Sequence, residues 1–295
     1  GIYNFVMTNS VTSKLIKRLS GFAVARSMPT LYKTSLMKWQ QQRKKEKKQG
    51  TSNRKVYFFC DEFTNFNDTE IGIKAILLLE RLGYEVIIPE HKESGRAWLS
   101  KGLIRTAKKI ANKNILLLSK LVSEETPLIG IEPSAILTFR DEYIDLADDE
   151  LLEKSRQLAL HVYMIDEFIA KEIENGNIKQ GQFTREKKLI KLHGHCQQKA
   201  LSAVAHSAKL LSLPENYIVE TIPSGCCGMA GSFGYEKEHY ELSMKIGELV
   251  LFPAIRNQSA DTIIAAPGTS CRHQVKDGTG RKAFHPVEIL FDALL

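Results

Sequence analysis

Short apolar runs of strand length alternate with amphipathic stretches of helix length, and the alternation runs through this chain twice. KVYFFCDEF near residue 55 is echoed by KLIKLHGHC near 188, LGYEVIIPEHKESGR by LPENYIVETIPSGCCG, and PLIGIEPSA by DTIIAAPGTSC. Alternating strands and helices are the mark of a parallel sheet covered by its own crossover helices. Two copies of about 100 residues, a common domain size, predict an α/β protein of two pseudo-repeated strand–loop–helix modules with parallel sheets, preceded by a basic helical linker. In the first copy strands are expected at 56–59, 84–88, 115–118 and 128–131. A helix is expected over 69–82, where Ile71, Ala75, Leu78, Leu79 and Leu82 share one face behind an Asp68 or Thr69 cap and ahead of Gly83. Further helices are expected over 98–112, 135–146 and 148–175. The second copy offers strands at 189–192, 217–222 and 262–266, with helices over 197–212 and 236–256. The divisions that follow are 1–54 as basic linker, 55–147 as first repeat, 148–186 as connecting helices and 187–295 as second repeat.

Four of the five cysteines lie in the second copy: Cys196 in HGHC, the adjacent Cys226 and Cys227 in SGCCGMAGSFGY, and Cys271 in GTSCRHQ. Each follows a predicted strand, so all four fall at the carboxyl edge of the sheet, where open α/β sheets bind ligands. Thiolates are soft ligands suited to iron–sulfur clusters, zinc or copper(I). Zinc sites usually show paired C-x2-4-C knuckles, whereas this segment reads C-x29-CC-x43-C. Adjacent cysteines suit a multi-iron cluster, which gives each a different iron atom, better than one tetrahedral ion. Gly225 and Gly228, with Gly231 and Gly234, permit the positive φ angles and close approach of a wrapping loop, and free backbone N–H groups for sulfur. His195 beside Cys196 and His273 two positions after Cys271 are candidate ligands or proton carriers as readily as plain loop residues; His193 reads as a loop residue. Arg272 offers charge compensation to four thiolates, its alternative being an ordinary surface arginine. Two rivals stay open: a zinc-stabilised interaction module, and a thiol oxidoreductase working through Cys226 and Cys227. A phosphate cradle is disfavoured, since neither G-x-G-x-x-G spacing nor a Walker lysine is present. No flavin or nicotinamide fingerprint and no Ser-His-Asp arrangement stands out.

HGHCQQKAL, GCCGMAGSFGYEKEHYELSMKIGE, TSCRHQ and the closing HPVEIL resemble the cysteine-rich "CCG" domain found in heterodisulfide reductase and in anaerobic glycerol-3-phosphate dehydrogenase. The wording is most similar to the C-terminal part of FAD-linked oxidases of the D-lactate / D-2-hydroxyglutarate dehydrogenase type, and the resemblance covers roughly 54–295. It implies a 4Fe-4S-type iron–sulfur cluster on Cys196, Cys226, Cys227 and Cys271. It also implies FAD on an upstream domain outside this chain, electrons arriving through a ferredoxin-like domain, and an acceptor such as a quinone. In the resembled family the first copy can carry a second such site, with two cysteines before Gly-Arg-Pro and one after Glu-Pro-Ser. Here Glu93 and Ser94 precede Gly95-Arg96-Ala97, and Ala135 follows Ser134. Cys60 aligns with His193 rather than with Cys196. The first copy is therefore expected to be a scaffold, and its Cys60 a buried strand cysteine.

The formal charge of +7 belongs to the leading segment: residues 1–55 hold 13 of the 41 basic residues and only one of the 34 acids, Glu46. Val11, Leu15, Ile16, Leu19 and Phe22 recur there at helical spacing, and RKKEKK followed by QGTSN reads as a solvated linker. A transit peptide and a membrane- or nucleic-acid-binding segment compete with a connector to a neighbouring domain. The connector is preferred, and the segment is expected to be dispensable for folding of the core. Nucleic acid is not expected as a partner, because the basic run lacks interleaved aromatics and no recognised motif accompanies it. No apolar run approaches the ~18–20 residues of a membrane helix. An odd number of cysteines in loops argues for a reducing compartment. The expected location is cytoplasmic, with at most peripheral contact at the inner face of the membrane.

Overall fold

In the computed structural model, which describes residues 1–46 and 54–295, the two copies become two four-stranded, all-parallel sheets. The first contains β1 (Lys55–Phe58), β2 (Glu85–Ile87), β3 (Leu128–Gly130) and β4 (Val162–Met164); the second contains β5 (Lys188–Leu192), β6 (Tyr217–Thr221), β7 (Ile263–Ala265) and β8 (Ala283–Phe284). Both are ordered second, first, third, fourth: β2-β1-β3-β4 and β6-β5-β7-β8. The registers correspond, Tyr57 lying opposite Leu128 as Ile190 lies opposite Ile263. The chain therefore leaves the first strand of each copy to one side and returns on the other. This creates a topological switch point, and hence a crevice, at the carboxyl ends of β1 and β3 and again at those of β5 and β7.

Three expectations are corrected. Residues 115–118 are the last turn of a helix, Ile104–Leu118, and not a strand. Ala107, Ala111, Ile115 and Leu118 are buried along one face of that helix, so the apolar cluster is where a helical stripe ends in the core. The region 148–175 is broken by β4, whose Val162, Tyr163 and Met164 pair with β3, leaving helices Leu152–Leu160 and Ile165–Glu174 on either side. The helix Thr69–Arg81 gains no cap bond from Asp68, whose carboxylate is turned across the molecule to Arg272, 2.5 Å away. Gly83 ends that helix as expected, at φ +92°.

The two halves share a core. Leu78 and Leu79 of the helix Thr69–Arg81 pack in one apolar cluster with Val287 and Leu290 of the helix Pro286–Asp292; the same cluster joins Phe168 and Ile169 to Leu210 and Leu211 of the helix Val204–Leu211. Each half thus lends a helix to the other, and the outer faces of the two sheets form separate clusters around Phe139 and Phe252. The leading segment is partly helical, over Ile2–Thr8, Ser10–Leu19 and Leu36–Glu46, but it is not detached from this core. Leu36 and Arg26 have no exposed surface. Residues 47–53, with most of the expected solvated linker, lie outside the described residues.

His285, at the start of the helix Pro286–Asp292, shows how tightly the halves are joined. Its Nδ1 accepts from Val287 N (3.1 Å) and its Nε2 donates to Ile131 O of the first half (3.2 Å), a pairing that needs the neutral ring. Burial, and then the charge of Arg272, push its pKa down to about 3. A folded pKa below the unfolded value means that this contribution is complete above about pH 6.5 and is lost as pH falls toward 3. At pH 5 the loss is about 2 kcal/mol, on the order of 1.4 kcal/mol per pH unit. His285→Asn, which keeps a capping oxygen, is expected to remove most of this acid sensitivity. Urea unfolding at pH 7 and pH 5 checks it: an equal drop in stability in both proteins would place the titration elsewhere.

Candidate cysteine site

The loops after β5, β6 and β7 bring the four second-copy cysteines to one place. Cys196 is the first residue of the helix Cys196–Leu201, Cys226 and Cys227 lie in the glycine-rich loop after β6, and Cys271 lies in the first turn of the helix Thr269–Thr279. The thiols shift one another's acidity in a line, Cys196 with Cys226, Cys226 with Cys227 and Cys227 with Cys271. All five cysteines are unbridged. The shifts run in opposite directions. Cys226 is held well below the usual thiol range, first by the Cys196 thiol and then by that of Cys227, with Gly228 N–H also reaching its sulfur at 3.3 Å. Cys271 is lowered too, by the Cys227 thiol first, against burial and with help from His193. Cys196 is raised, by Cys226 first, and Cys227 is raised by Cys226 and then by Cys271. Four thiols are therefore gathered in a place that is half-buried at Cys196 and Cys226 and buried at Cys227 and Cys271. A bound soft cation is the group that removes their protons, and this donor set fits one.

The glycines differ in role. Gly228 sits at φ +98°, and a Cβ there would lie 2.3 Å from the Ser243 carbonyl oxygen; Gly231, at φ +65°, shares the left-handed conformation. Gly225 has no such angle, and a Cβ there meets nothing within 4 Å. Lys199 closes the start of the loop by donating to the carbonyls of Ser224 (2.5 Å) and Gly225 (3.0 Å). Ala230 takes φ +41°, a strained value for a residue with a Cβ, inside the same loop.

Among the flanking residues, His195 caps the Cys196 helix through Nδ1, which accepts from Gln197 N (3.2 Å). Its ring leans on the Pro267–Gly268 turn, so that a Cβ on Gly268 would meet His195 Cδ2 at 2.4 Å and Cys271 Sγ at 3.4 Å. His273 is half-buried beside Tyr235 with its Nδ1 enclosed and unpartnered, and desolvation lowers its pKa. Arg272 points its guanidinium to the carbonyls of Ala266 (3.2 Å) and Pro267 (2.6 Å) and to Asp68 of the first half. His193, read from sequence as an ordinary loop residue, is fully buried at the sulfurs. Its ring is fixed by Ser224 Oγ at 2.7 Å from Nδ1, and one of its ring nitrogens lies with the sulfurs of Cys227 and Cys271 inside a 4.8 Å group. Its Nε2 has no hydrogen-bond partner.

The first copy meets this site through carboxylates. Glu132, from the Glu-Pro-Ser turn, accepts from Thr269 N (2.8 Å) and Thr269 Oγ1 (2.9 Å), two residues before Cys271. Where thiols would stand in a second site, Ser94 donates from N (2.8 Å) and Oγ (2.7 Å) to Glu62, and Arg96 pairs with Glu142. Cys60 is buried, its thiol pushed up by burial and then by Asp61. Sequence reading offered no signal for these roles of Glu132, Asp68 or Lys199, because the partners are set by tertiary packing, across the two halves for Glu132 and Asp68 and within the second half for Lys199.

The chain is similar to proteins named as dehydrogenases, as a dehydrogenase component and as lactate-utilization proteins. It is 28% identical to D-2-hydroxyglutarate dehydrogenase of Escherichia coli K12 over 242 residues, 82% of this chain and 23% of that protein. It is 25% identical to one component of the anaerobic glycerol-3-phosphate dehydrogenase of Escherichia coli K12 over 241 residues, 81% of this chain and 59% of that component. With lactate utilization protein A of Bacillus licheniformis it shares 27% identity over 243 residues, 80% of this chain and 96% of that protein. It therefore spans only about a quarter of the 2-hydroxyglutarate dehydrogenase. No protein-family model matches the chain. None of the helices among the described residues is long and apolar enough to cross a membrane.

Proposed function

We propose that this chain is an iron–sulfur electron-transfer module of CCG type, the C-terminal part of an FAD-linked D-2-hydroxy-acid dehydrogenase of the lactate or 2-hydroxyglutarate class. The observation that carries the reading is the convergence of Cys196, Cys226, Cys227 and Cys271 at one sheet edge, with a ring nitrogen of His193 beside the sulfurs of Cys227 and Cys271. A 4Fe-4S-type cluster held there would supply one-electron transfer between an upstream flavin and an acceptor such as a quinone. The residues around it shape its environment: Gly228 offers an N–H to sulfur, His193 a buried ring nitrogen fixed by Ser224, and His195 the cap of the Cys196 helix. Flavin and substrate belong to a partner domain or separate polypeptide, in line with the names of the relatives. Val11, Leu15 and Leu19, exposed on one side of the helix Ser10–Leu19, suit a neighbour that continues the assembly. The division at 1–54, 55–147, 148–186 and 187–295 is part of this reading, with β4 of the third segment completing the first sheet.

Protein purified without oxygen is expected to be brown and to carry about four iron atoms per chain, the content of one such cluster. Cys60→Ala should leave that number unchanged, because Cys60 stands at the first-copy edge among Asp61 and Glu62. A colourless protein with one zinc, or a metal-free one, would replace this reading with an interaction module or a thiol oxidoreductase. About eight iron atoms, or loss of iron on Cys60→Ala, would show that the first copy is more than a scaffold.

A further inference from the structure

Residues 21–27 lie against the glycine-rich loop, more than 200 positions away in sequence. Phe22 forms an antiparallel bridge with Glu236; Ala23 N donates to Tyr235 O (2.8 Å) and Lys237 N to Gly21 O (2.9 Å). The segment then drives Arg26 into the second half, where its side chain is wholly enclosed. Four partners receive the guanidinium: Nε donates to Gly234 O (2.9 Å), Nη1 to Gln274 Oε1 (2.6 Å) and Asp277 Oδ2 (3.2 Å), and Nη2 to Ser243 Oγ (3.1 Å). The Tyr240 ring lies beneath it, 4.9 Å from the guanidinium carbon. Lys17 fastens the turn from the other side by donating to Arg26 O (2.5 Å) and Val24 O (3.3 Å).

Gln274 is the link to the cysteines. It sits one turn after Cys271 on the same helix, and its Nε2 donates to Cys227 O and to Ser243 O, both at 2.9 Å. An amide side chain can take either of two orientations related by a flip. A guanidinium has only donors, so the amide oxygen must face Arg26 and the NH2 group must face Cys227. With Arg26 removed, Gly234 O, Ser243 Oγ, Asp277 and the Gln274 amide oxygen each lose a donor in a closed interior, so the anchor that holds Gln274 against Cys227 O is lost.

We infer that Arg26 is a positioning residue of the cysteine site, acting through Gln274 and Gly234 to hold the Cys226–Cys227 loop in its ligating shape. The leading segment is then not only a connector. It completes the loop's outer wall, so a movement of whatever precedes it is transmitted to the residues that flank Cys227. The inference rests on the iron–sulfur reading for its spectroscopic arm, but its structural arm is independent of metal.

Three variants separate the possibilities. Arg26→Met removes the clamp. Gln274→Glu keeps an acceptor for Arg26 but loses the donor to Cys227 O. Leu36→Ala loosens the same segment at its far end, where Leu36 packs against Gly72 and Thr64 of the first half, and serves as a control for general loss of stability. Amide hydrogen exchange is followed over 227–234 in metal-free and iron-loaded protein, together with the electron paramagnetic resonance spectrum and midpoint potential of the reduced, loaded form. Arg26→Met and Gln274→Glu are each expected to speed exchange over 227–234 by roughly tenfold or more and to alter the spectrum and potential. Leu36→Ala should do neither, even though its melting temperature falls. Unchanged exchange and spectra in both site variants, or the same changes in Leu36→Ala, overturn the inference. If Arg26→Met does not fold, Gln274→Glu alone decides it by the same criteria. A wild-type protein that binds no iron would refute the functional reading, and exchange in the metal-free protein would still decide the clamp.

Discussion

Each of the substitutions Cys196→Ser, Cys226→Ser, Cys227→Ser and Cys271→Ser is expected to lower the iron retained by anaerobically purified protein severalfold, and Cys227→Ser most of all. A serine hydroxyl stays protonated at neutral pH and is a hard donor, so it replaces neither the charge nor the softness of a thiolate. Cys227 is the chain neighbour of Cys226, its sulfur lies in one group with that of Cys271 and a ring nitrogen of His193, and it is almost wholly buried. A serine there leaves a polar hydroxyl in a closed place. Cys196, half-exposed at the start of its helix, has more room to relax. Iron and acid-labile sulfide per chain, with the visible spectrum, give the readout. Wild-type iron content and spectrum in any two of the four variants would remove those residues from the ligand set, and with them the four-cysteine assignment.

What the sequence disclosed about this site follows from how locally each feature is encoded. The positions of β1, β2, β3, β5, β6 and β7 were legible because each is a β-branched or aromatic run between turn residues, and the cysteines were legible because each directly follows such a run. β8 has two residues, too few to show a period, and β4 follows the helix Leu152–Leu160 with no glycine or proline to announce it. The run at 115–118 misled because four apolar residues look alike as a buried strand or as the end of a helical stripe. Long-range choices were hidden for a different reason. Arg272 adjoins a cysteine in sequence, yet Asp68 and the Ala266 and Pro267 carbonyls claim it, while His193 turns inward to the sulfurs because Ser224 fixes its ring. Arg26 gave no sign at all. A lone arginine in a basic, acid-poor segment reads as solvated until the fold shows Gly234, Gln274 and Ser243 closing around it.

Gly228→Ala is expected to damage the site far more than Gly225→Ala, although the two glycines flank the same pair of cysteines. At φ +98° an alanine pays the left-handed penalty of about 1 kcal/mol, and its Cβ would stand 2.3 Å from Ser243 O. That oxygen is backbone within the helix Tyr240–Leu249 and already accepts from Gln274, so neither neighbour can yield by rotating a side chain. The loop must move instead, and with it goes the Gly228 N–H that lies 3.3 Å from Cys226 Sγ. At Gly225 the added methyl meets nothing within 4 Å, and the backbone angle is one that alanine adopts freely. Gly225→Ala should therefore keep wild-type iron content and melting temperature, while Gly228→Ala should lose most of its iron and melt several degrees lower, as a loss of about 1–3 kcal/mol implies for a chain of this size. Measuring both variants side by side separates a loop that merely contains glycines from one whose shape depends on a single one. Equal iron retention in the two would mean that the loop reaches its ligating form by another backbone path.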